Sequence, residues 1–449
     1  GISYIIKEII NPKSRLVSNY FSGLTAKPDK ITIDIAYKHF QKLAYKRQKA
    51  FEKKVLISSS DDYVPAKIQY RDKIYKVKLR LKGDMVNQLT GSKWPFRVVV
   101  KGDSTLFGMK VFSLHKPSAR KYIYEWFMHR IIRKEGIIGL RYDFLDVTIN
   151  GKHLGIYAME EHFEKRLIEN AHRREGPVIC FSEDGDMRNI AHFMDCLSGP
   201  YSERISFYSE KIDLYRPTKT LSDKKLYNQF IKAKNLLEAF RRGELKNSDI
   251  FDYKILARYL AIIDFLSARH AAKYGNLKFY FNPVTSKLEP ICFDAEFVGT
   301  KDYNRDVPLY LENWYDEDFM LELPFFRDQE LFKLYIQELE RISKKEFLDN
   351  VFKELGKELN EKLKICYKDY PDLFFNKNSF YLRQKYVKKQ LNSPFSVNAY
   401  FRRYEEKDIE KFVEISLGNI RPIPVEILSI TIDNKLEVPV IEKGKVLKP

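Results

Sequence analysis

Phe251–Gly299 reads FDYKILARYLAIIDFLSARHAAKYGNLKFYFNPVTSKLEPICFDAEFVG, and the fold turns on how this stretch is parsed. Leu256, Leu260 and Ile263 recur at helical spacing, so Asp252 to Arg269 reads as a helix with one buried stripe. Asp264 falls on or beside that stripe, where a carboxylate needs a partner. After a polar loop, Leu277 to Phe281 and Leu288 to Phe293 read as the strands of a hairpin, with turn-forming residues from Asn282 to Lys287 between them. Asn276 opens the first strand and Asp294 closes the second. A hairpin folded about Thr285 would set the two opposite each other, with Cβ atoms about 5 Å apart. An amide and a carboxylate so placed offer a seat for Mg2+, which takes one or two carboxylates and leaves room for phosphate oxygens. The bland alternative is a turn cap and a strand end.

The composition bounds what surrounds this segment. With 449 residues, 44% hydrophobic and 14% aromatic, the chain can bury a sizeable core in two or three domains, which excludes a disordered protein. The formal charge of +18 points to an anionic partner: a nucleotide, an acidic protein, a polyanionic glycan or a membrane surface. Basic residues are spread along the chain with only short runs such as YKRQKAFEKK, Tyr45 to Lys54, so no nucleic-acid arm is visible. Cys180, Cys196, Cys292 and Cys366 lack metal-ligand spacing, and only a Cys180–Cys196 disulfide comes into question. His153, His162 and His192 read as ordinary surface or loop histidines. No run of about eighteen apolar residues marks a membrane span, and no signal peptide is visible. The first residue is Gly1, which leaves room for an upstream anchor or signal.

Gly1 to Asp29 reads as a lead-in helix and linker, and Ile31 to Ile35 as a strand before a basic helix from Ala36 to Lys54. Val64 to Tyr70, Lys73 to Lys82 and Phe96 to Lys101 read as antiparallel strands, the second alternating apolar and basic residues strictly. Ser118 would cap a helix ending at Gly136 and carrying Glu125. Tyr142 to Ile149 and Gly155 to Met159 form a hairpin around Asn150-Gly151. Five strands with one inserted helix resemble the small lobe of a protein-kinase-like fold. From Glu160 helices dominate, at Ser222 to Arg242, Leu323 to Leu355, Lys357 to Tyr370 and Ser379 to Leu391. From Phe412 the chain alternates and is Pro-punctuated, as a β module would be. The fold class is therefore α+β and bilobal: a lead-in (1–30), a small β-rich lobe (31–158), a larger helical lobe (159–395) and a C-terminal β extension (396–449).

Several stretches together resemble the spore-coat protein H (CotH) kinase family, atypical kinases with a protein-kinase-like fold. They are VKLRLKGD with KWPFRVVVK, LFGMKVFSLHKPSARKYIYEWFMHRIIRKEGI, YDFLDVTINGKHLGIYAMEEHFEKRLIE, GNLKFYF with FDAEF, and FFRDQELFKLY, in family order from about residue 31 to 390. The resemblance implies an ATP- and Mg2+-dependent phosphotransferase acting on a hydroxyl of a protein or envelope glycan, in a bacterial surface or envelope setting. Lys93 would contact the ATP phosphates, with Arg97 as competing candidate, and Glu125 would pair with that cation as a helix Glu does in protein kinases. Glu161 would lie near the nucleotide, while Asn276 and Asp294 would ligate Mg2+. Read without the family, Lys93, Arg97 and Glu125 are exposed charges and Glu161 a helix-start carboxylate.

The chain departs from the family pattern in its loop. Where members carry an Asp that accepts the substrate proton, Arg269 to Gly275 reads RHAAKYG, and His270 is the nearest titratable replacement, with Asp264 upstream to support it. Cys292 stands where the family has its first metal carboxylate, which leaves Asp294 with Glu296 as a third ligand. Two alternatives stand beside the kinase reading: a pseudokinase-like module that binds nucleotide or polyanion without turnover, and a nucleotidyl transferase.

Overall fold

The computed structural model describes residues 12–182, 208, 210–273, 275–295, 309–313, 323–326, 328–392, 395–407, 410–421 and short stretches beyond, as far as 447. The fold is mixed α+β. In chain order come α1 (Pro12–Leu24), β1 (Asp29–Asp34), α2 (Tyr37–Lys53), β2 (Val64–Tyr70), β3 (Lys73–Leu81), β4 (Phe96–Val100) and β5 (Val111–His115). Then follow α3 (Ile123–Lys134), β6 (Ile138–Gly139), β7 (Tyr142–Ile149) and β8 (Lys152–Glu161).

Seven of these strands close into a barrel in the order β1-β2-β3-β4-β5-β8-β7. Closure comes from β1, which pairs antiparallel with β2 and parallel with β7, Ile31 lying opposite Val147. The alternation of KIYKVKLRL in β3 explains why the strand sits as it does: Val77, Leu79 and Leu81 are buried inside, and Lys76 and Lys78 are exposed outside. Ile33, Ile68, Val98, Phe112, Leu114 and Val147 fill the same interior. At the β7–β8 turn, Asn150 and Gly151 both take left-handed φ, as a two-residue hairpin turn requires. The Asn150 side chain also bonds both backbone groups of Ile35, at 2.7 and 3.0 Å, tying β1 to this hairpin.

A second sheet runs β10-β9-β11-β12-β6, formed by β9 (Val178–Phe181), β10 (Ile212–Leu214), β11 (Lys278–Asn282) and β12 (Lys287–Cys292) with β6. Around it pack α4 (Lys224–Arg242), α5 (Tyr253–Phe265), α6 (Gln329–Ile342), α7 (Lys345–Tyr367) and α8 (Lys377–Leu391), which share one continuous core with α3. Side-chain caps fix the starts of four of them: Asp223, Asp252, Asp328 and Asn376 each accept from first-turn N–H groups. At the C-terminal end, β13 (Val397–Lys407) and β14 (Glu410–Asn419) form a long hairpin, and two short strand pairs follow.

Three expectations change. The small sheet is a closed barrel and not a five-stranded sheet, because β5 supplies a strand that its short sequence did not announce and β1 bridges to β7. The region after Glu160 contributes four strands to a five-stranded sheet among its helices, the fifth being β6 from before Glu160. Ser118 caps nothing: Pro117–Arg120 is a single 3-10 turn, Lys121 and Tyr122 take φ of +53° and +57°, and α3 begins only at Ile123. No helix among the described residues is long and apolar enough to cross a membrane. Cys196 and His192 lie outside the described residues, so the Cys180–Cys196 pairing does too.

Candidate functional site

The outer face of the barrel carries a transverse row that the strand register sets side by side: Arg80 on β3, Arg97 on β4, Ser113 on β5, Glu160 on β8 and Tyr142 on β7. A cleft of about 470 Å³ opens over this row. Arg80, Lys82, Arg97 and Arg120 line it from the barrel side, and Asn276, Lys278, Phe293 and Asp294 from the second sheet. His162, Phe163, Phe181 and Tyr215 give it an aromatic end, with the Phe163 and Tyr215 rings 4.5 Å apart and His162 5.5 Å from Tyr215.

Polar atoms beneath the cleft are left without hydrogen bonds. Nε and Nη1 of Arg97, Oγ of Ser113 and the Tyr142 hydroxyl are buried with no partner among the described residues. Each such group costs about 1–3 kcal/mol in a sealed interior, so a cluster of them around a cleft marks a place where a ligand or water completes the bonding. Lys82 Nζ donates to Glu160 Oε2, and Arg120 Nε faces Glu160 Oε1 at 3.7 Å. Burial would raise the Glu160 carboxyl, but Lys82 and Arg120 overcome it and hold the group well below the usual range. Burial pushes the Lys82 ammonium and the Arg97 guanidinium down from their ordinary values, only partly offset by Glu160. The His115 imidazole, next to Lys82 in the same field, is pushed down to about 3 by burial.

Asn276 and Asp294 meet at this cleft by a route other than the one expected. Lys278 pairs with Ile291 and Asn282 with Lys287, so the register places Phe293, and not Asp294, opposite position 276. Both residues also lie past the last paired rung, and the left-handed φ of +50° at Asp294 turns the chain so that both line the same cleft. The Asn276 amide Nδ2 donates to the His270 carbonyl oxygen at 2.9 Å, which directs Oδ1 the other way. Arg120 Nη1 lies 2.6 Å from Asp294 Oδ1. Burial alone would raise the Asp294 carboxyl, while Arg120 and His270 hold it below its ordinary value. His270 Nδ1 lies 2.9 Å from the Asp294 carbonyl oxygen, to which it donates in one tautomer, and 3.1 Å from Asn276 Nδ2, from which it accepts in the other.

The other residues named from the sequence sit elsewhere. Lys93 does not reach the cleft: its Nζ donates to the Ile156 carbonyl oxygen at 2.9 Å and to the Asp369 carboxylate, fastening the barrel to the end of α7. Glu125 pairs with neither Lys93 nor Arg97; its Oε1 accepts from the Ala295 N–H at 3.2 Å and lies 3.3 Å from His129 Nε2. Glu161 alternates to the opposite side of β8 from Glu160, in register with the barrel-core residue Phe112, and grips Arg141 through its backbone N–H and its guanidinium. Asp264 is wholly buried and saturated, so it has no capacity left for a reacting group: it accepts from Arg269 Nε and Nη2, the Tyr310 N–H and the Tyr335 hydroxyl. Glu296 lies outside the described residues.

Lys82, Arg120, Glu160 and the cleft-lining His162 were not singled out from the sequence as site residues. Strict alternation along β3 places Lys82 on the Arg80 face, a usable signal. Arg120 carried none, because the broken helix start that turns it inward is not written in PSARKY. Scans of the chain against protein-family models and against curated proteins return no match.

The residues present fit a phosphate group better than a bare metal. Arg97 offers unused donors in a fork that suits phosphate oxygens. For a divalent cation the cleft offers the Asn276 amide oxygen and the Asp294 carboxylate, with Asp84 and Asp213 also in its lining, enough for Mg2+ that brings its own phosphate and water ligands. Among the described residues no group of three or more His, Cys, Asp and Glu is assembled as a protein-only metal cage.

Proposed function

We propose that the cleft binds the phosphates of ATP and that the chain is an ATP- and Mg2+-dependent phosphotransferase of CotH-like, protein-kinase-like bilobal architecture, with the barrel as small lobe. The observation that carries this reading is the unpartnered Arg97 guanidinium beside the Lys82–Glu160 pair, with Asn276 and Asp294 across the same cleft. A Lys–Glu pair poised over phosphates and an Asn and Asp facing them are the parts phosphoryl transfer uses. Arg97 and Lys82 would hold phosphate oxygens, and Glu160 would hold Lys82. Asn276 Oδ1 and the Asp294 carboxylate would hold Mg2+, which when bound neutralises charge on the phosphate oxygens. His270, in the tautomer whose Nδ1 donates to the Asp294 carbonyl, would offer Nε2 as the basic nitrogen for a hydroxyl acceptor. The aromatic end formed by His162, Phe163 and Tyr215 would take the base.

A second reading, binding of nucleotide or polyanion without turnover, is favoured by the Arg120–Asp294 contact at 2.6 Å, which sets a cation against one oxygen of the carboxylate a metal would need. The readings separate with ATP radiolabelled at the γ- or the α-phosphate and a mixture of candidate acceptors. Transfer of γ label alone supports the kinase, transfer of α label supports a nucleotidyl transferase, and binding without consumption supports the binding module. Absence of any Mg2+-dependent thermal stabilisation by ATP overturns both enzyme readings and leaves only polyanion binding, since ligand at about 100 times its Kd stabilises by about 2.7 kcal/mol.

A further inference from the structure

The helix α1 packs the wrong way round for a surface helix of a water-soluble face. The side it turns to the protein is polar and small. Asn19 is buried, and its Nδ2 donates to the carbonyl oxygens of Pro371 at 2.9 Å and Leu373 at 3.1 Å. A Cβ at Gly23 would come within 2.8 Å of the Tyr367 backbone, so glycine is what lets α1 approach α7. The Arg15 guanidinium lies 4.1 Å over the Phe374 ring. The five large apolar side chains Leu16, Val17, Tyr20, Phe21 and Leu24 face solvent instead, each between 44% and 62% exposed. At about 100° per residue they fall within an arc of about 140°, the apolar stripe that a surface helix ordinarily turns to its core.

Such a stripe needs an occupant, and charge decides among the candidates. Lys27, just past the helix, and Lys364 and Lys368, on the α7 flank that α1 packs against, are exposed cations, and Glu361, Asp369 and Asp372 are exposed carboxylates of the same flank, so the excess of positive charge is that of the whole chain. In sequence, GISYIIKEIIN runs up to the helix start with Ile2, Ile5, Ile6, Ile9 and Ile10, so apolar residues continue directly ahead of it. A second copy of a chain with charge +18 would bring like-charged rims together, which opposes self-association through this face. An apolar stripe on a chain of net charge +18 is what an anionic lipid surface accepts, the stripe entering the headgroup boundary and Lys27, Lys364 and Lys368 meeting the phosphates.

We propose that the outer face of α1 docks the protein onto an anionic membrane surface. At 13 residues the helix is too short to cross a bilayer, so it lies in the plane of the interface. This docking does not depend on the reading of the cleft. The test is co-sedimentation of the full chain with vesicles of phosphatidylcholine alone and with about 30% phosphatidylserine, at low and high salt. The expected result is binding to the anionic vesicles, weakened by salt and reduced at least tenfold in a Leu16→Glu/Phe21→Glu variant whose thermal unfolding matches the parent. Should that variant unfold early, Tyr20→Ser/Phe21→Ser provides the same comparison with no added charge. Failure of the parent to bind either vesicle overturns the proposal, as does equal binding by a folded variant. A dimer that ignores vesicles and is abolished by the same substitutions would likewise overturn it and assign the face to a second copy.

Discussion

Two buried carboxylates in this molecule, Asp264 on α5 and Glu160 on β8, each sit among arginines, and they are finished differently. Asp264 receives hydrogen bonds from Arg269 at 2.9 and 2.7 Å, from the Tyr310 N–H at 2.8 Å and from the Tyr335 hydroxyl at 2.5 Å. Glu160 is bonded by Lys82 on one oxygen, but its other oxygen stands 3.7 Å from Arg120 Nε, and Arg97 and Ser113 beside it have unused donors. The first cluster is closed and locks α5 to its neighbours. The second opens onto a cleft and is completed from outside. Satisfaction of the polar atoms, more than the residue types, separates a structural network from a binding one.

The contrast can be broken most forcefully at Asp264. Asp264→Ala leaves Arg269 buried without its partner and is expected to cost about 3–5 kcal/mol in urea unfolding. A loss under about 1 kcal/mol would show that the closed network holds little. Arg97→Met should do the reverse: ATP affinity in calorimetry falls about 10- to 100-fold, the worth of about 1.5–3 kcal/mol for a charged hydrogen bond, while stability is unchanged or rises.

Acid sharpens the comparison next. The His115 imidazole titrates at about 3 in the folded chain against 6.5 ordinarily, so the unfolded chain takes up that proton first and stability falls as pH drops from about 6.5 toward 3. Asp294, held below its ordinary 3.8, adds a further loss below that value as its ionised form is titrated away. His162, also held well below its ordinary value by desolvation, adds to the loss from His115, so His115→Gln should lessen the upper part of a melting-temperature profile, His115→Gln/His162→Gln should flatten it, and both should leave the lower part in place. The smallest effect is expected at Lys93: Lys93→Ala loses the Asp369 contact at about 1 kcal/mol and leaves ATP affinity unchanged within about twofold.

Much of the barrel was legible, because the alternation of β3 and the Asn150-Gly151 turn write local geometry directly into the sequence. The hairpin that brings Asn276 and Asp294 to one place was legible as an element, but its register was not. A shift of one residue separates the Thr285-centred pairing from the observed one, and only the backbone turn at Asp294 restores the meeting. Glu161, named from the resemblance, turns to the Arg141 side of β8, while its neighbour Glu160 reaches the cleft row. Adjacent strand residues point to opposite faces, and which of the two joins the Ser113 row is set by the pairing of β8 with β5, a strand the sequence did not announce. Lys93 and Glu125 were picked as a pair, but long-range partners, Asp369 for one and the Ala295 N–H for the other, took them first. Arg120 depended on two left-handed residues that give no sequence signal.

The most direct test of the open network is calorimetric titration of ATP with Mg2+ into the parent chain and into Arg97→Met. The account predicts saturable binding to the parent and at least tenfold weaker binding to a variant that unfolds at the same temperature or higher. Equal affinity in a folded variant, or no binding to the parent, would contradict it.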